Sequence, residues 1–441
     1  MGEKVESVQT VCAYIQAALE PFEKKSLLNW IPASAGMTNG RIFVGYSGGL
    51  DSHVLLVALK LLKIPATAIH INHQLSPNST HWQQHCARTC EILNIPFLSE
   101  KVDATHTPGQ SPEAAARAAR YAVFERLLEL NDLLLLGHHE DDQAETVLLQ
   151  LLRGSGPSGL AAMPSEKSCG KGKLLRPLLS CSRSMLKQFA IDQQLNWIED
   201  ESNADPRFNR NYLRHHIIPL LEKRWPSYAK TITRTSRQCA QMIPLMKHWT
   251  DEDCQMAAGR FPGTLSVARL LSWPFFRRRA VIRQWLFQHE QIIPSELQLN
   301  VLEKNVLNVK PDAQPLLSWA NVEIRRYQDD LYALPRTAPW DPTQIIPWDL
   351  NNPLVLPQNK GNLPIPSRSF ENNVTIRFRQ GGESCKLEGR TGHRDLKKIF
   401  QDWQIPPWQR NQIPLLYEGE NLVAIYDPRK TEFVFCEIKT H

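Results

Sequence analysis

Residues 42–62 read IFVGYSGGLDSHVLLVALKLL: a β-branched and aromatic run, a glycine pair between serines, and an apolar helix-forming stretch. The pattern repeats, with ATAIHIN before HWQQHCARTCEIL, IPFLSEKV before PEAAARAARYAVFERLLEL, and LLLLG before DDQAETVLLQLLRG. Short strands alternating with longer amphipathic segments predict a parallel sheet with helices on both faces over residues 1–220, an α/β domain. Gly, Pro and Ser interrupt it at 154–172. Residues 221–335 are expected to be mainly helical, with VEIRRYQDDLYALP as a hairpin or short strand pair. The proline-rich stretch 336–369 predicts an extended linker poor in regular structure. Residues 370–441 predict a small α+β domain, and WIPASAGMTNG at 30–40 an exposed insertion.

Composition narrows the classes of function. The nine cysteines, at 12, 86, 90, 169, 181, 239, 254, 385 and 436, include no CxxC pair. That spacing argues against a disulfide framework or a four-cysteine zinc site. No window reaches the roughly 18 uninterrupted apolar residues of a membrane helix, and the amino-terminal stretch mixes charges into an amphipathic pattern. A cytoplasmic protein with no membrane partner is the expectation. Net charge is +6, but residues 1–150 carry 11 Lys+Arg against 16 Asp+Glu, and the remainder 40 against 29. A basic rear two thirds points to a polyanionic partner.

A strand, then Ser47-Gly48-Gly49-Leu50-Asp51-Ser52, then a helix aims backbone N–H groups and a helix's positive end at one point, which suits an anion. Glycines let the backbone approach without a Cβ, and the two serines add hydroxyl donors. The loop is neither GxxxxGK[ST] nor GxGxxG. Asp51 would repel a phosphate unless a cation lay between, so Mg²⁺ on a pyrophosphate is implied, with Asp51 as its ligand. Farther on, LLLLG delivers His138 and His139 to the crevice where open α/β sheets bind ligands, and Asp142 and Glu145 share one face of the next helix. A metal-hydrolase site using His138 and Asp142 stays open at this level, as does an ordinary acid-rich helix start.

SGGLDS resembles the pyrophosphate loop of the N-type ATP pyrophosphatases, which split ATP into AMP and pyrophosphate. Further motifs resemble the tRNA(Ile)-lysidine synthetase family: GHHEDDQAETVLLQLLRGSGPSGLAAMP at 137–164, RPLL at 176–179, WIEDESNADPRFNRNYLRHHIIPLL at 197–221, and FRQGGESCKLEGRTGHRDLKKIFQDWQIPPWQRNQIPLL at 378–416. The resemblance is weakest at 1–40 and 250–370. It implies an ATP-pyrophosphatase catalytic domain, tRNA-binding helical and C-terminal domains, ATP and Mg²⁺ as cofactors, and two further substrates. These are an isoleucine tRNA with a CAU anticodon and free L-lysine. Adenylation of the wobble cytidine would make its C2 oxygen a leaving group, and lysine would displace AMP. The resemblance puts His138, Asp142 and Glu145 at the active site. Lysine's amine has an ordinary pKa near 10.4, so Asp142 or Glu145 is expected as the base or as the ammonium's partner. Arg117 and Arg120 are candidates for a nucleotide phosphate, Arg153 for the nucleotide's surroundings, and Arg210 and Arg214 for phosphate or tRNA.

Basic runs at 205–237, in FFRRRAVIRQW around Arg277, Arg278, Arg279 and Arg283, and at 374–410 suit a large folded RNA. Sulfur-transferring tRNA enzymes and ammonia-using synthetases share the loop, but Cys86 and Cys90 make a poor reactive pair and no glutaminase cysteine is evident. A catalytically silent tRNA-binding factor would not need the intact loop and acidic cluster. The sequence leaves a homodimer open.

Overall fold

The computed structural model describes residues 2–23, 40–74, 76–103, 112–201, 205–290, 293–310, 313–319, 321–336, 340–359, 361–370, 373–390 and 392–437. The insertion expected at 30–40 lies, apart from Gly40, outside the described residues. Two compact units divide the chain, Met1–His248 and Trp249–His441.

In the first unit, β1 (Ile42–Gly45), β2 (Thr67–Asn72), β3 (Phe97–Lys101), β4 (Leu133–Leu135), β5 (Glu166–Cys169) and β6 (Gly172–Leu175) form one sheet in the order β3-β2-β1-β4-β6-β5. All pairings are parallel except the β5–β6 hairpin. Alternate residues of the central strands supply two cores, as a period of two requires when both faces are covered. Ile42, Val44, Leu133 and Leu135 pack with Val11 and Ile15 of α1 (Gly2–Glu23) and Leu55 of α2 (Leu50–Leu61). Phe43 and Leu134 turn the other way, towards Val123 and Phe124, beyond α3 (Ser79–Ile92) in the chain and within α4 (Pro112–Leu127). Helices on both faces are thus present as the alternation predicts.

The Gly-rich stretch after α5 (Glu140–Leu152) and the short α6 (Pro157–Leu160) is more ordered than expected. It builds β5 and β6, turning at Gly170 with φ +54°, where a Cβ would sit 2.2 Å from the Glu125 carbonyl oxygen. The unit continues through α7 (Arg183–Asp192), α8 (Asn209–Tyr212), a π-helical turn at Leu213–Ile217, α9 (Ile218–Arg224) and α10 (Tyr228–Met256), whose residues from Trp249 onward belong to the second unit.

The second unit opens with β7 (Leu265–Ser266), α11 (Val267–Ser272), α12 (Phe275–Glu290) and α13 (Glu296–Leu302). Helix α12 buries Val281, Ile282, Trp285 and Leu286 against α13 and a sheet ordered β7-β10-β9-β8. There β8 is Leu316–Trp319, β9 Val322–Tyr327 and β10 Asp330–Pro335. The hairpin expected in VEIRRYQDDLYALP is β9–β10, and the helical region carries a sheet that periodicity did not reveal.

The linker expectation for 336–369 needs correction. β11 (Ile346–Trp348) pairs Ile346 with Ile376 of β14 (Val374–Phe378), after a two-residue ladder between β12 (Leu354–Val355) and β13 (Asn362–Leu363). Proline survives in β11 because that strand is an edge, where one side of the backbone needs no partner. A second short ladder, β15 (Ser384–Cys385) with β16 (Arg394–Asp395), leads to α14 (Leu396–Asp402) and α15 (Pro407–Arg410). With β17 (Pro414–Glu418), β18 (Asn421–Asp427) and β19 (Glu432–Phe435) the antiparallel sheet runs β11-β14-β17-β18-β19. No helix among the described residues is long and apolar enough to cross a membrane.

Candidate active site

Strand β1 and helix α2 are joined by a loop that its own serines close. The Ser52 hydroxyl, buried, accepts from the Ser47 N–H at 3.2 Å and donates to the Gly49 carbonyl at 3.1 Å, with the Ser47 hydroxyl 3.1 Å away. Ser52, expected to offer its hydrogen to an anion, spends it on the loop. Gly48 has φ +84°, and a Cβ there would lie 2.7 Å from Ile198 Cδ1 and 2.8 Å from Cys86 Sγ. Gly49 is the N-cap of α2 and supplies no side-chain cap, which leaves first-turn amides available to an anion. Leu50 packs against the core, so only its backbone can contribute there.

Above this loop a cleft of about 800 Å³ opens at the carboxyl ends of β1, β2 and β4. Of the residues proposed from sequence for the loop, catalysis, the nucleotide and its surroundings, Gly48, Leu50, Glu145 and Arg153 do not line it, whereas Ser47, Gly49, Asp51, Ser52, Arg117, Arg120, His138, Asp142, Arg210 and Arg214 do. Arg153 caps the far end of α5, exposed, roughly 16 Å along the helix from Asp142 at 1.5 Å per residue. The structure therefore does not bring Arg153 to the nucleotide side. A larger recess of about 1520 Å³, near Arg41, Lys60 and Pro96, lies at the opposite, amino ends of the strands.

Asp51 sits in the first turn of α2 with its Oδ2 3.6 Å from His139 Nε2. Its Oδ1 is buried with no hydrogen-bond partner among the described residues, and burial pushes its carboxyl above the ordinary range. An orphaned carboxylate oxygen beside open amides fits a cation shared with phosphate oxygens. Among the described residues no group of three or more His, Cys, Asp or Glu is placed to hold a metal ion. Mg²⁺ held by one carboxylate and its nucleotide fits that sparse donor set.

The two histidines after β4 have opposite fates. His139, the N-cap of α5, is buried with Nε2 3.5 Å from Asp142 and Nδ1 3.5 Å from Asp141. Burial opposes its charge, yet Asp142, Asp141 and Asp51 together carry its pKa up to about 9. His138 lines the cleft, and burial with nearby arginines pushes it down to about 3, against the pull of Asp142. Arg176 donates its Nε–H to His138 Nδ1 at 3.2 Å and a second hydrogen to the Pro164 carbonyl at 2.6 Å. A guanidinium has no lone pair to give, so His138 Nδ1 must be the acceptor and Nε2 carries the proton.

Asp142 and Glu145, one turn apart on α5, are gripped by two arginines from one further turn of helix. Arg210 donates to Glu145 Oε2 at 2.6 Å and Asp142 Oδ1 at 2.7 Å; Arg214 donates to Glu145 Oε1 at 2.5 Å and Asp142 Oδ1 at 2.9 Å. Arg214 lies in the π-helical turn, a geometry often found at functional sites. Burial disfavours the Asp142 carboxylate, but His139, Arg210 and Arg214 outweigh it and hold its pKa far below 3.8. Such a group stays an anion and makes a weak base at neutral pH, contrary to one sequence expectation. Arg210 and Arg214, expected on phosphate, instead brace the acids at the cleft wall.

Arg117 and Arg120 both line the cleft, Arg117 exposed and stacked 4.9 Å over the Tyr121 ring. Sequence reasoning left Arg176 without a role, with the RPLL motif as the available signal, and expected His139 in the crevice beside His138, which alone of the two lines it.

A PP-loop domain model matches residues 19–221, a TilS substrate binding domain model residues 265–332, and a TilS substrate C-terminal domain model residues 374–440. The tRNA(Ile)-lysidine synthase of Coxiella burnetii is 40% identical over 416 residues, covering 92% of each chain. The chain belongs to the tRNA(Ile)-lysidine synthase family. Family enzymes of Legionella pneumophila strain Paris and Proteus mirabilis agree, at 40% and 37% identity. They cover 87% and 90% of this chain, and 90% and 93% of their own. As a lysidine synthase family member the chain is an enzyme, an ATP-dependent ligase of tRNA modification, with a PP-loop domain over residues 19–221.

Proposed function

We propose that this chain joins free L-lysine to C2 of the wobble cytidine in the CAU-anticodon isoleucine tRNA. In the first step the cytidine O2 attacks the α-phosphorus of ATP and pyrophosphate leaves, giving an adenylated cytidine. In the second, the lysine ε-nitrogen forms a bond to C2, AMP leaves with O2, and the amine proton goes to solvent or a nearby base. The uncapped start of α2 beside the unpartnered Asp51 oxygen is the observation that carries this reading.

The amides around Gly48 and Gly49 are suited to the β- and γ-phosphates, and Arg117 and Arg120 to the oxygens farther out in the cleft. Mg²⁺, held by Asp51 and the phosphates, would draw charge from the departing pyrophosphate. His138, neutral with its Nε2–H free to donate, suits an oxygen gaining negative charge rather than a proton to be removed. Asp142 reaches the cleft as a fixed anion and is the proposed partner of the lysine ammonium. Glu145, with an arginine on each oxygen, acts as a brace.

Pyrophosphate release measured with and without tRNA and lysine tests the reading, together with mass analysis of digested nucleosides. Sustained release should require both, and one lysine-modified cytidine should appear per pyrophosphate. Sustained turnover without lysine, or modification of a different nucleoside, would overturn it.

A further inference from the structure

Between Lys223 and Thr250 the sequence holds six Lys or Arg and no Asp or Glu. Elsewhere the arginine-rich runs fold onto acids: Arg210 and Arg214 onto Asp142 and Glu145, Arg277 onto Asp253, Arg279 onto Glu303. Helix α10 carries acids only in its last turns, at Asp251, Glu252 and Asp253, fourteen or more residues beyond Arg237. One of its faces is committed, since the Tyr228 hydroxyl donates to Asp141 at 3.2 Å and the Ser236 hydroxyl to the Ala161 carbonyl at 2.8 Å. Thr233 and Ser236 are buried on that side. Lys230, Arg234 and Arg237 recur at four- and three-residue intervals and so share another face over about 10 Å of helix. All three are exposed, and none has an ion-pair partner among the described residues.

The stripe begins near the cleft. Tyr228 rests on Asp141, the neighbour of Asp142, and Lys230 and Arg237 both act on Glu140, the first residue of α5, favouring its charged form against burial. A cation row held that close to the reacting position, near Glu140 but in ion-pair contact with no acid among the described residues, suits a regularly spaced polyanion. We infer that Lys230, Arg234 and Arg237 form a track for the RNA backbone flanking the nucleotide in the cleft. This rests on the proposed tRNA reaction and assigns part of its substrate contact to α10. The track replaces Arg210 and Arg214 as the phosphate contact of this part of the chain.

The full-length chain carrying Lys230→Gln, Arg234→Gln and Arg237→Gln together is compared with the parent for lysidine formation across 50–200 mM salt. Each phosphate contact contributes about 0.7–0.9 to the log–log salt slope, so three lost contacts should flatten the slope for kcat/KM towards tRNA by about 2. At low salt the KM for tRNA should rise more than about 10-fold. KM for ATP and lysine at saturating tRNA, and the melting temperature, should not move. An unchanged slope and tRNA KM would overturn the inference, as would a rise in KM for ATP, which would place the row at the nucleotide instead. Equal weakening of binding to anionic lipid vesicles with no effect on tRNA would also overturn it. If the triple variant fails to fold, Arg234→Gln alone should still flatten the slope by about 0.7–0.9. Absence of lysidine from the parent protein would sink the proposed reaction itself, a different failure from an unchanged slope.

Discussion

Arg210 and Arg214 in the first unit, and the row Arg277–Arg283 in the second, look alike as sequence: clustered arginines in amphipathic helices. In the structure both are answered by carboxylates, but in different surroundings. The Asp142 and Glu145 side chains keep 10% and 3% of their exposure, whereas Glu296, which takes Arg279 and Arg283, keeps 64%. Water screens the Arg283–Glu296 pair of the second arrangement and scarcely reaches the first. The same residue types therefore brace the acids of the cleft wall in one place and end in a solvated pair, Arg283 with Glu296, in the other.

The largest expected difference comes from stranding the buried arginines. Asp142→Ala removes the acceptor of the His139 N–H and of both arginines, and should lower stability by about 3–5 kcal/mol in urea unfolding while abolishing lysidine formation. A loss under about 1 kcal/mol would put Asp142 in the same class as the surface acids. Next, a double-mutant cycle on Arg214→Met and Glu145→Gln should give a coupling above about 1.5 kcal/mol. The matching cycle on Arg283→Gln and Glu296→Gln should give none that can be measured; equal couplings would erase the contrast.

Acid titration sharpens it further. Asp142 has a folded pKa below its ordinary 3.8, so its contribution to stability is complete above that value and is lost as pH falls beneath it. Arg210→Met should reduce this acid-side loss in urea midpoints taken from pH 6 to pH 3, because the folded pKa then rises towards the unfolded one. Arg176→Met should be milder, lowering kcat several-fold with little change in the KM for tRNA, since it frees the His138 tautomer without touching RNA. Smallest of all, Arg283→Gln should leave melting temperature and tRNA KM unchanged.

What was legible in the sequence was local. The Ser47–Ser52 turn, the strand–helix alternation and the β9–β10 hairpin all follow from residues within a few positions of one another. The pairing of Arg210 and Arg214 with Asp142 and Glu145 was not legible, because those partners lie 65–72 residues earlier and a charge run counts only its own neighbours. His138 and His139 look equivalent in sequence; the start of α5 puts one in the cleft and the other among three carboxylates. Arg153 looked close to the site because its motif continues from the acidic cluster, but thirteen residues of helix intervene between the caps. Proline and glycine hid β11, β5 and β6, since a strand at an edge or in a tight hairpin tolerates residues that periodicity discounts.

The proposed reaction requires phosphate capture at the start of α2 to direct cleavage to the α–β bond of ATP. ATP labelled at the α-phosphorus, supplied with tRNA and lysine, decides this directly. Label should appear in AMP, one for each lysidine formed, and Gly48→Val should stop both together because its Cβ would collide with Ile198 and Cys86. Label recovered as ADP, or full turnover by Gly48→Val, would contradict it.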